Sequence, residues 1–326
     1  MQENAKTAYL FPGQGAQHVG MGHDLYEAYP VARNLFDLAE QATELPLKRL
    51  CFEGPQEELS RTDVAQPAIF TVSAAALAVL GEVFSRSGAA APNPDCVAGL
   101  SLGEYTALHA AGAVEFEDAL RLVVKRGRAM QEAATSRPGG MVSVLGIEDD
   151  RAAELSEAAA GGQVLVCANF NCPGQVVLSG EREACERAAE MAAEFGASGA
   201  VPLDVAGAFH SPLMAPAAEQ LREAVDSTAF RPPRMPVVAN ATAEPYDDPD
   251  LAAPLLLRQL TSSVRWRQSM EWLLAAGVER FYEIGPGRVL AGLMRRIDRK
   301  TRVKCLNTRT AIEELAGTED AARTEG

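Results

Sequence analysis

The stretch Cys96-Val97-Ala98-Gly99-Leu100-Ser101-Leu102-Gly103-Glu104 decides how this chain is expected to fold. A short apolar run precedes Gly99, and the residues from 104 to 111 have the composition of a helix. A strand, a sharp turn that carries a serine between glycines, and a helix form the layout of a nucleophile elbow. Such a turn exposes the serine Oγ beside the N–H of Leu102, where an oxyanion could form. A serine that only caps a helix is the alternative interpretation.

The composition excludes several classes of protein. The chain has 326 residues and 47% hydrophobic content, enough for one large domain or for a large and a small one. A net charge of −14 argues against general nucleic-acid binding and against an anionic membrane surface. No signal peptide is visible, and the most apolar predicted helix, about residues 68–83, is too short to span a bilayer. Six cysteines without C-x-x-C pairing and four histidines without metal-ligand spacing predict a cytoplasmic protein without a bound metal.

Hydrophobic patterns predict an α/β domain with a parallel sheet around the elbow. A strand over Lys6–Phe11 ends at a glycine-rich turn, and helices are expected near 22–42, 67–84 and 116–134. Further strands at 237–240 and 280–284 and helices near 250–275 and 288–298 continue the alternation. We expect residues 1–134 and 204–310 to form this large domain, and the polar residues 311–326 to be a flexible tail.

The middle of the chain follows a different pattern. Strands are predicted at 140–145, 164–168, 176–179 and 199–205, with helices at 149–160 and 181–195. The order βαββαβ is that of a ferredoxin-like unit. We therefore place an inserted small domain at 135–203.

Two further segments could serve the elbow serine. His210 stands in a turn of small residues before a helical run, where it could act as a general base, although a structural histidine would have the same pattern. His18 and His23 are also candidates. The turn at Pro12-Gly13-Gln14-Gly15 is neither a dinucleotide fingerprint nor a P-loop, and it could offer an N–H to an oxyanion hole or be an ordinary loop.

Short motifs in a set order carry a resemblance to a known family. They are Phe-Pro-Gly-Gln-Gly at 11–15, Gln-Pro at 66–67, Gly-Leu-Ser-Leu-Gly-Glu at 99–104, Lys-Arg-Gly at 125–127, Asn-Phe-Asn-Cys-Pro-Gly-Gln-Val at 169–176, Ala-Phe-His-Ser at 208–211, Arg-Gln-Leu at 258–260 and Glu-Ile-Gly-Pro-Gly at 283–287. From about Thr7 to Asn307 the chain resembles the malonyl-CoA:acyl-carrier-protein transacylase family of fatty-acid synthesis, which is related to polyketide acyltransferase domains. The resemblance implies an α/β-hydrolase-like large domain with a ferredoxin-like insert, the same division that the patterns predict.

The resemblance also implies roles for particular residues. Ser101 is implied as the nucleophile and His210 as the base, with the N–H groups of Gln14 and Leu102 as the oxyanion hole. Arg126 is implied as the group that binds the malonyl carboxylate, since a guanidinium can bind a carboxylate bidentately.

Three more positions complete the implied site. A main-chain carbonyl at Gln259 is implied to orient the histidine, and Gln66 and Asn171 are implied near the pocket. One residue departs from the family pattern: Leu100 stands where the family usually has histidine. Phe209 matches the phenylalanine that accompanies malonyl rather than methylmalonyl preference in related acyltransferases.

The implied reaction is a ping-pong transfer from malonyl-CoA to holo acyl carrier protein by a monomer that needs no metal and no other cofactor. Because both proteins are acidic, docking requires a local basic patch. The cations dense near the C-terminus could provide it, and they are Arg288, Arg295, Arg296, Arg299, Lys300, Arg302 and Lys304. The alternatives are a trans-acting acyltransferase of polyketide synthesis and a serine thioesterase or hydrolase.

Overall fold

Six strands build the larger of two sheets in the computed structural model, which describes residues 5–88 and 91–324. The strands are β1 (Lys6–Phe11), β2 (Cys96–Gly99), β7 (Val237–Val238), β8 (Pro245–Tyr246), β9 (Val278–Ile284) and β10 (Val303–Leu306). Their order is β10-β9-β1-β2-β7-β8, and all pairs are parallel except β7 with β8. The central strand β1 has the predicted bounds and is buried from Thr7 onward.

Helices cover this sheet. They are α1 (His23–Ala28), α2 (Pro30–Thr43), α3 (Leu47–Phe52), α4 (Gln56–Ser60), α5 (Thr62–Ser87), α6 (Gly103–Ala110), α7 (Phe116–Ser136), α10 (Ala215–Asp226), α11 (Ala252–Thr261), α12 (Trp266–Ala275), α13 (Val289–Ile297) and α14 (Arg309–Thr324). The main core includes buried side chains of α2, α5 and α7, and a second cluster involves α12 and α13. The α/β architecture predicted for the large domain is therefore confirmed.

The small sheet lies between α7 and α10 in the chain. Its strands are β3 (Gly139–Leu145), β4 (Leu165–Cys172), β5 (Gln175–Glu181) and β6 (Gly199–Pro202), and its helices are α8 (Asp149–Ala160) and α9 (Arg182–Met191). The strands pair antiparallel in the order β4-β5-β3-β6, and both helices contribute to one core with the sheet. This is the predicted ferredoxin-like arrangement.

Helix α5 is longer than the sequence suggested. It runs for 26 residues, with Pro67 inside it rather than at its start, so the argument that it is too short to span a bilayer is wrong. By length and composition alone, α5 could cross a membrane, but 67% of its most apolar window is buried in the protein. A core helix that is apolar all round has this signature.

Helix α14 corrects the predicted flexible tail. It occupies the segment up to Thr324, and Ile312 and Leu315 are fully or nearly fully buried as it packs against α5. Its apolar stripe is only a few residues wide, and the surrounding polar composition hid the helix from the sequence pattern. Residues 325 and 326 lie outside the described part of the chain.

Glycines let three backbones meet at the carboxyl edge of the large sheet. A Cβ on Gly99 would lie 1.9 Å from the carbonyl carbon of Gly103, and one on Gly103 would lie 2.1 Å from the oxygen of Phe11. A Cβ on Gly13 would lie 2.3 Å from the oxygen of Leu100. The loop after β1 and the elbow after β2 are therefore in direct backbone contact, which any side chain at these glycines would prevent.

Candidate active site

Ser101 occupies the turn between β2 and α6, as the elbow pattern predicted. Its φ of 52° lies in the left-handed region that a non-glycine residue rarely adopts, and neighbouring groups must hold it there. Asn240, just after β7, provides that support: its Oδ1 accepts from the N–H of Ser101 at 2.6 Å, and its Nδ2 donates to the oxygen of Gly99 at 2.7 Å. One amide side chain thus braces both sides of the strained turn.

His210 is brought to Ser101 by a tight turn before α10. Its own φ is 56°, and Ser211 stabilises the turn by donating to the oxygen of Ala208 at 2.7 Å and accepting from the N–H of Leu213. The histidine Nε2 lies 2.8 Å from Ser101 Oγ, and both residues are buried. This is the contact a serine–histidine pair needs for proton transfer.

The other ring nitrogen of His210 is held by a main-chain oxygen. His210 Nδ1 lies 2.8 Å from the carbonyl of Gln259, in the last turn of α11. Carbonyls in the last turn of a helix have no intrahelical partner, so this one is free to accept a hydrogen bond from a group outside the helix. Donation from Nδ1 leaves Nε2 unprotonated and able to accept the Ser101 proton.

The electrostatic environment keeps His210 neutral. Burial, with a further contribution from the positive Arg126, lowers the pKa of His210 to about 4, although the Gln259 carbonyl acts in the opposite direction. A general base must be unprotonated to work, so this shift preserves the active form well below neutral pH. In the described structure neither His18 nor His23 makes a hydrogen bond to the pair: His18 contacts the oxygen of Ala16, and His23 packs on Phe52.

Arg126 extends from the middle of α7 to the same serine. Its Nη2 donates to Ser101 Oγ at 3.0 Å and to Gln259 Oε1 at 2.9 Å. Its Nη1 donates to Gln66 Oε1 at 2.7 Å. The structure thus brings together five of the eight predicted site residues, which are Ser101, His210, Arg126, Gln259 and Gln66.

Arg126 is a buried cation that contacts no carboxylate among the residues that the structure describes. It is 1% exposed, and burial lowers the pKa of its guanidinium, opposed by the neighbouring Tyr105 phenol and Glu104 carboxyl group. The guanidinium stacks over the Tyr105 ring at 5.4 Å, and its buried Nε has no hydrogen-bond partner among the described residues. A buried guanidinium with unused donors beside a serine is a site for an anionic group.

Gln14 and Leu102 both lie next to the elbow turn, and their role as an oxyanion hole stays a prediction. Gln14 follows β1 in the loop that touches the elbow, and its side chain donates to Thr62 Oγ1 at 3.4 Å. Leu102 follows Ser101 directly and precedes α6. In the described part of the chain, no hydrogen bond uses the N–H of either residue, so both remain available to a ligand oxygen.

Asn171 and Leu100 stand apart from this cluster. Asn171 is half-buried in β4 of the small domain and makes no hydrogen bond to the five clustered residues in the described chain, so its role stays a prediction. Leu100, at the position where the resemblance implies histidine, donates its N–H to the oxygen of Phe11 and packs with its side chain against the second core cluster.

Sequence reasoning missed Glu104, Asn240 and the side chain of Gln259. Gln259 Nε2 donates to the oxygen of Ser101 at 3.0 Å and to Glu104 Oε2 at 2.6 Å. Burial raises the pKa of the Glu104 carboxyl to about 7, against the lowering effect of Gln259, Asn240 and Arg126. A carboxylate at the start of an otherwise apolar, small-residue helix was the available signal for Glu104, and nothing local distinguished Asn240.

Comparison with known proteins agrees with this geometry. Residues 8–314 match the family described as "Acyl transferase domain". Over 310 residues, 95% of this chain and 96% of the relative, the sequence is 44% identical to the malonyl CoA-acyl carrier protein transacylase of Bacillus subtilis. The chain belongs to the malonyl CoA-acyl carrier protein transacylase family. The Escherichia coli K12 transacylase is 42% identical over 94% of this chain and 97% of its own length.

Solved transacylases share the whole fold. The malonyl CoA-acyl carrier protein transacylase of Coxiella burnetii superimposes with a TM-score of 0.90 at 37% identity, covering 96% of this chain and 97% of that one. A malonyl-transacylase solved in complex with a type II PKS acyl-carrier protein also gives a TM-score of 0.90 at 37% identity, covering 96% of this chain and all of that one. The resemblance inferred from sequence is therefore confirmed, and the protein is an acyltransferase of the transacylase family.

Proposed function

We propose that this protein transfers a malonyl group from malonyl-CoA to the phosphopantetheine thiol of holo acyl carrier protein through a malonyl ester of Ser101. One observation carries the proposal: Ser101 Oγ lies within hydrogen-bonding distance of both a buried histidine and a buried arginine, and in the described part of the chain no carboxylate contacts that arginine. The first contact supports acyl transfer, and the second selects an acyl group with a negative end.

The first half-reaction forms the acyl-serine. His210 Nε2 takes the proton of Ser101 as Oγ attacks the thioester carbonyl of malonyl-CoA, and the tetrahedral oxyanion is held by the N–H groups of Gln14 and Leu102. The C–S bond then breaks, coenzyme A leaves as the thiol with the proton from His210, and the malonyl ester remains on Ser101. The imidazolium formed in this step is stabilised by the Gln259 carbonyl at Nδ1.

The second half-reaction reverses these roles. The carrier thiol loses its proton to His210 and attacks the ester carbonyl, and Ser101 Oγ leaves with that proton as the malonyl thioester forms. Throughout, the malonyl carboxylate pairs with Arg126, whose Nε is unused in the described structure. The chemistry requires no metal or redox cofactor. Gln66 holds the opposite edge of the guanidinium and so fixes its plane.

The distribution of basic side chains indicates the surface on which acyl carrier protein would dock. The seven cations between residues 288 and 304 are all exposed, although the chain as a whole is acidic. The loop that precedes them contacts the loop after β1, since a Cβ on Gly287 would lie 3.2 Å from the oxygen of Ala16. This basic segment therefore begins beside the active-site edge, where an acidic carrier protein would dock with its prosthetic arm near Ser101. We place the enzyme in the cytoplasm as a monomer that binds neither nucleic acid nor a membrane.

A polyketide carrier is the second candidate acceptor. The structurally similar malonyl-transacylase solved with a type II PKS acyl-carrier protein favours this alternative. Parallel assays with fatty-acid and polyketide holo carrier proteins separate the two, because the physiological carrier should have the higher kcat/KM.

The decisive experiment is mass spectrometry of the intact protein after exposure to malonyl-CoA. Wild-type protein should gain one malonyl group on Ser101, and Ser101→Ala should gain none. Adding holo carrier protein should move the label to the carrier. A covalent label retained by Ser101→Ala, or release of free malonate without transfer to any carrier, would contradict the proposal, and the second result would favour a hydrolase.

A further inference from the structure

Glu104 is a fully buried carboxylate beside the elbow that touches neither member of the reacting pair. Its carboxylate makes two hydrogen bonds in the described structure, both through Oε2: one accepted from Gln259 Nε2 at 2.6 Å and one from the N–H of Asn240 at 3.1 Å. Neither bond is needed to build α6. A buried carboxylate is costly, so its retention at this point calls for an explanation in the site.

Each partner of Glu104 also holds one member of the reacting pair. The main-chain oxygen of Gln259 lies 2.8 Å from His210 Nδ1, and Asn240 Oδ1 accepts from the N–H of Ser101 at 2.6 Å. The three segments that meet here are far apart in the chain. Because Glu104 Oε2 accepts from both residues, this one atom connects Gln259, which supports the base His210, to Asn240, which supports the nucleophile Ser101.

The side chain of Gln259 has only one favourable orientation in this arrangement. Its Oε1 faces a donor on the cation Arg126, and its Nε2 faces the acceptor Glu104. A flipped amide would place donor against donor and acceptor against acceptor. The donor on one side and the acceptor on the other thus fix the amide and, with it, the residue whose carbonyl orients His210.

We propose that Glu104 is a positioning residue that holds Gln259 and Asn240 through one oxygen and thereby aligns Ser101 with His210. This inference deepens the proposed function and rests on its assignment of Ser101 and His210. In many serine hydrolases a carboxylate contacts the histidine directly. Here a carbonyl has that place, and the carboxylate acts one residue further away by fixing the carbonyl's own residue.

The placement of the acceptor oxygen, rather than the negative charge, is the part of Glu104 that matters. Oε2 accepts both hydrogen bonds, whereas the buried Oε1 has no partner among the described residues. A glutamine with its oxygen at the position of Oε2 can make the same two bonds. An aspartate keeps the charge but withdraws the carboxylate by about 1.5 Å, the length of one C–C bond.

The test compares Glu104→Gln with Glu104→Asp. Displacements of about 1 Å in an active site can cost 10²-fold, so the Asp variant should lose roughly 10²-fold in kcat while the Gln variant stays within about tenfold. The second readout is the rate at which Ser101 reacts with phenylmethylsulfonyl fluoride, which needs the serine–histidine alignment but no malonyl group. This sulfonylation rate should fall less in Glu104→Gln than in Glu104→Asp, as kcat does. All rates are measured well below each variant's unfolding temperature.

Glu283 offers the matched control, because it is an equally buried glutamate with a different task. Its two oxygens accept from the N–H groups of Leu290 and Ala291, at the start of α13. Glu283→Gln and Glu283→Asp should lower the unfolding temperature but change the sulfonylation rate by less than about threefold, within the scatter expected of a residue outside the network.

Two results would overturn the inference: an Asp variant at least as active as the Gln variant, or Glu104 variants whose sulfonylation rates match those of the Glu283 pair. A wild-type protein that reacts with the sulfonyl fluoride but does not transfer malonyl would instead overturn the proposed function and leave the alignment role of Glu104 supported by the sulfonylation rates.

Discussion

Arg126 donates a hydrogen bond directly to Ser101 Oγ at 3.0 Å, so the cation and the serine to which we assign substrate binding and nucleophilic attack are in contact in the free protein. The same Oγ lies 2.8 Å from His210 Nε2. Because Ser101 can accept from Arg126 and donate to His210, its hydroxyl has a defined orientation before substrate arrives. A malonyl carboxylate competes for the guanidinium, and an acetyl group leaves the cation without a charged partner.

The first prediction follows from this contact. Arg126→Ala should reduce kcat/KM for malonyl-CoA by about 10³-fold and narrow the preference over acetyl-CoA by a similar factor, because a buried cation left unpaired is what rejects the acetyl group. Arg128→Ala is the control, since that exposed neighbour on α7 donates to the oxygen of Thr43 and makes no hydrogen bond to the site residues in the described structure. Unchanged discrimination between the two thioesters in Arg126→Ala would remove Arg126 from its role.

The second prediction concerns pH. His210 must be neutral to act as a base, and its pKa is lowered from 6.5 to about 4 by burial and by Arg126. The free-enzyme rate, kcat/KM for malonyl-CoA, should therefore stay nearly constant from pH 7 to about pH 5 and fall only as the pH approaches 4. A profile that falls with a midpoint near 6.5 would show that the environment does not keep His210 neutral.

The third prediction tests the backbone contact under the elbow. Gly99→Ala places a methyl group 1.9 Å from a backbone carbon of Gly103, which neither segment can avoid without moving. It should cost more than about 3 kcal/mol of unfolding free energy, at or beyond the upper end of overpacking effects. Gly292→Ala is the matched control, because a Cβ in that exposed helical position meets nothing within 4 Å.

The control substitution Gly292→Ala should stabilise the protein by about 0.5–1 kcal/mol, since alanine has a higher helix propensity than glycine. Urea unfolding of both variants measures the difference. Equal stabilities for the two would contradict the close approach of β2 and α6.

The fourth prediction addresses the C-terminal helix. Ile312 is fully buried where α14 packs on α5, so Ile312→Ala should cost about 2–5 kcal/mol. Thr310→Ala, on the exposed side of the same helix, should change stability by less than about 0.5 kcal/mol. Thermal unfolding of the two variants is the measurement, and a neutral Ile312→Ala would return this segment to the flexible tail first expected.

Local sequence patterns predicted most of the secondary structure, because where a strand or helix begins and ends depends mainly on residues that are close together in the chain. The strand Lys6–Phe11 has a run of apolar residues bounded by a glycine-rich turn, and the structure has the same bounds. The helix at 149–160 begins with acids and ends at Gly161, whose φ of 57° is a left-handed cap, and its bounds also agree. Helix α14 was missed because its stability depends on α5, which no local pattern reveals.

The residues of the candidate site also fall into two groups: those that the sequence singled out and those that only the fold brings into place. Ser101 stands in an elbow pattern that its own segment reveals, whereas His210 and Arg126 became candidates through the order of the motifs along the whole chain. Asn240 has no such motif: it supports Ser101 only because β2 pairs with β7, which brings two segments 139 positions apart into contact. Glu104 lies in the elbow motif, but its task depends on Gln259, which comes from a third segment.

The sequence by itself determined the alternation of strands and helices and the inserted small domain, since each depends on residues close together in the chain, and the order of its motifs made Ser101, His210 and Arg126 the candidates for nucleophile, base and cation. Only the tertiary structure decided how those groups are held. The carbonyl that faces His210, the amide that braces Ser101 and the carboxylate that links them are ordinary residues in their local sequence. Their hydrogen bonds exist only after the parallel strands have assembled and excluded water from the edge where the segments meet.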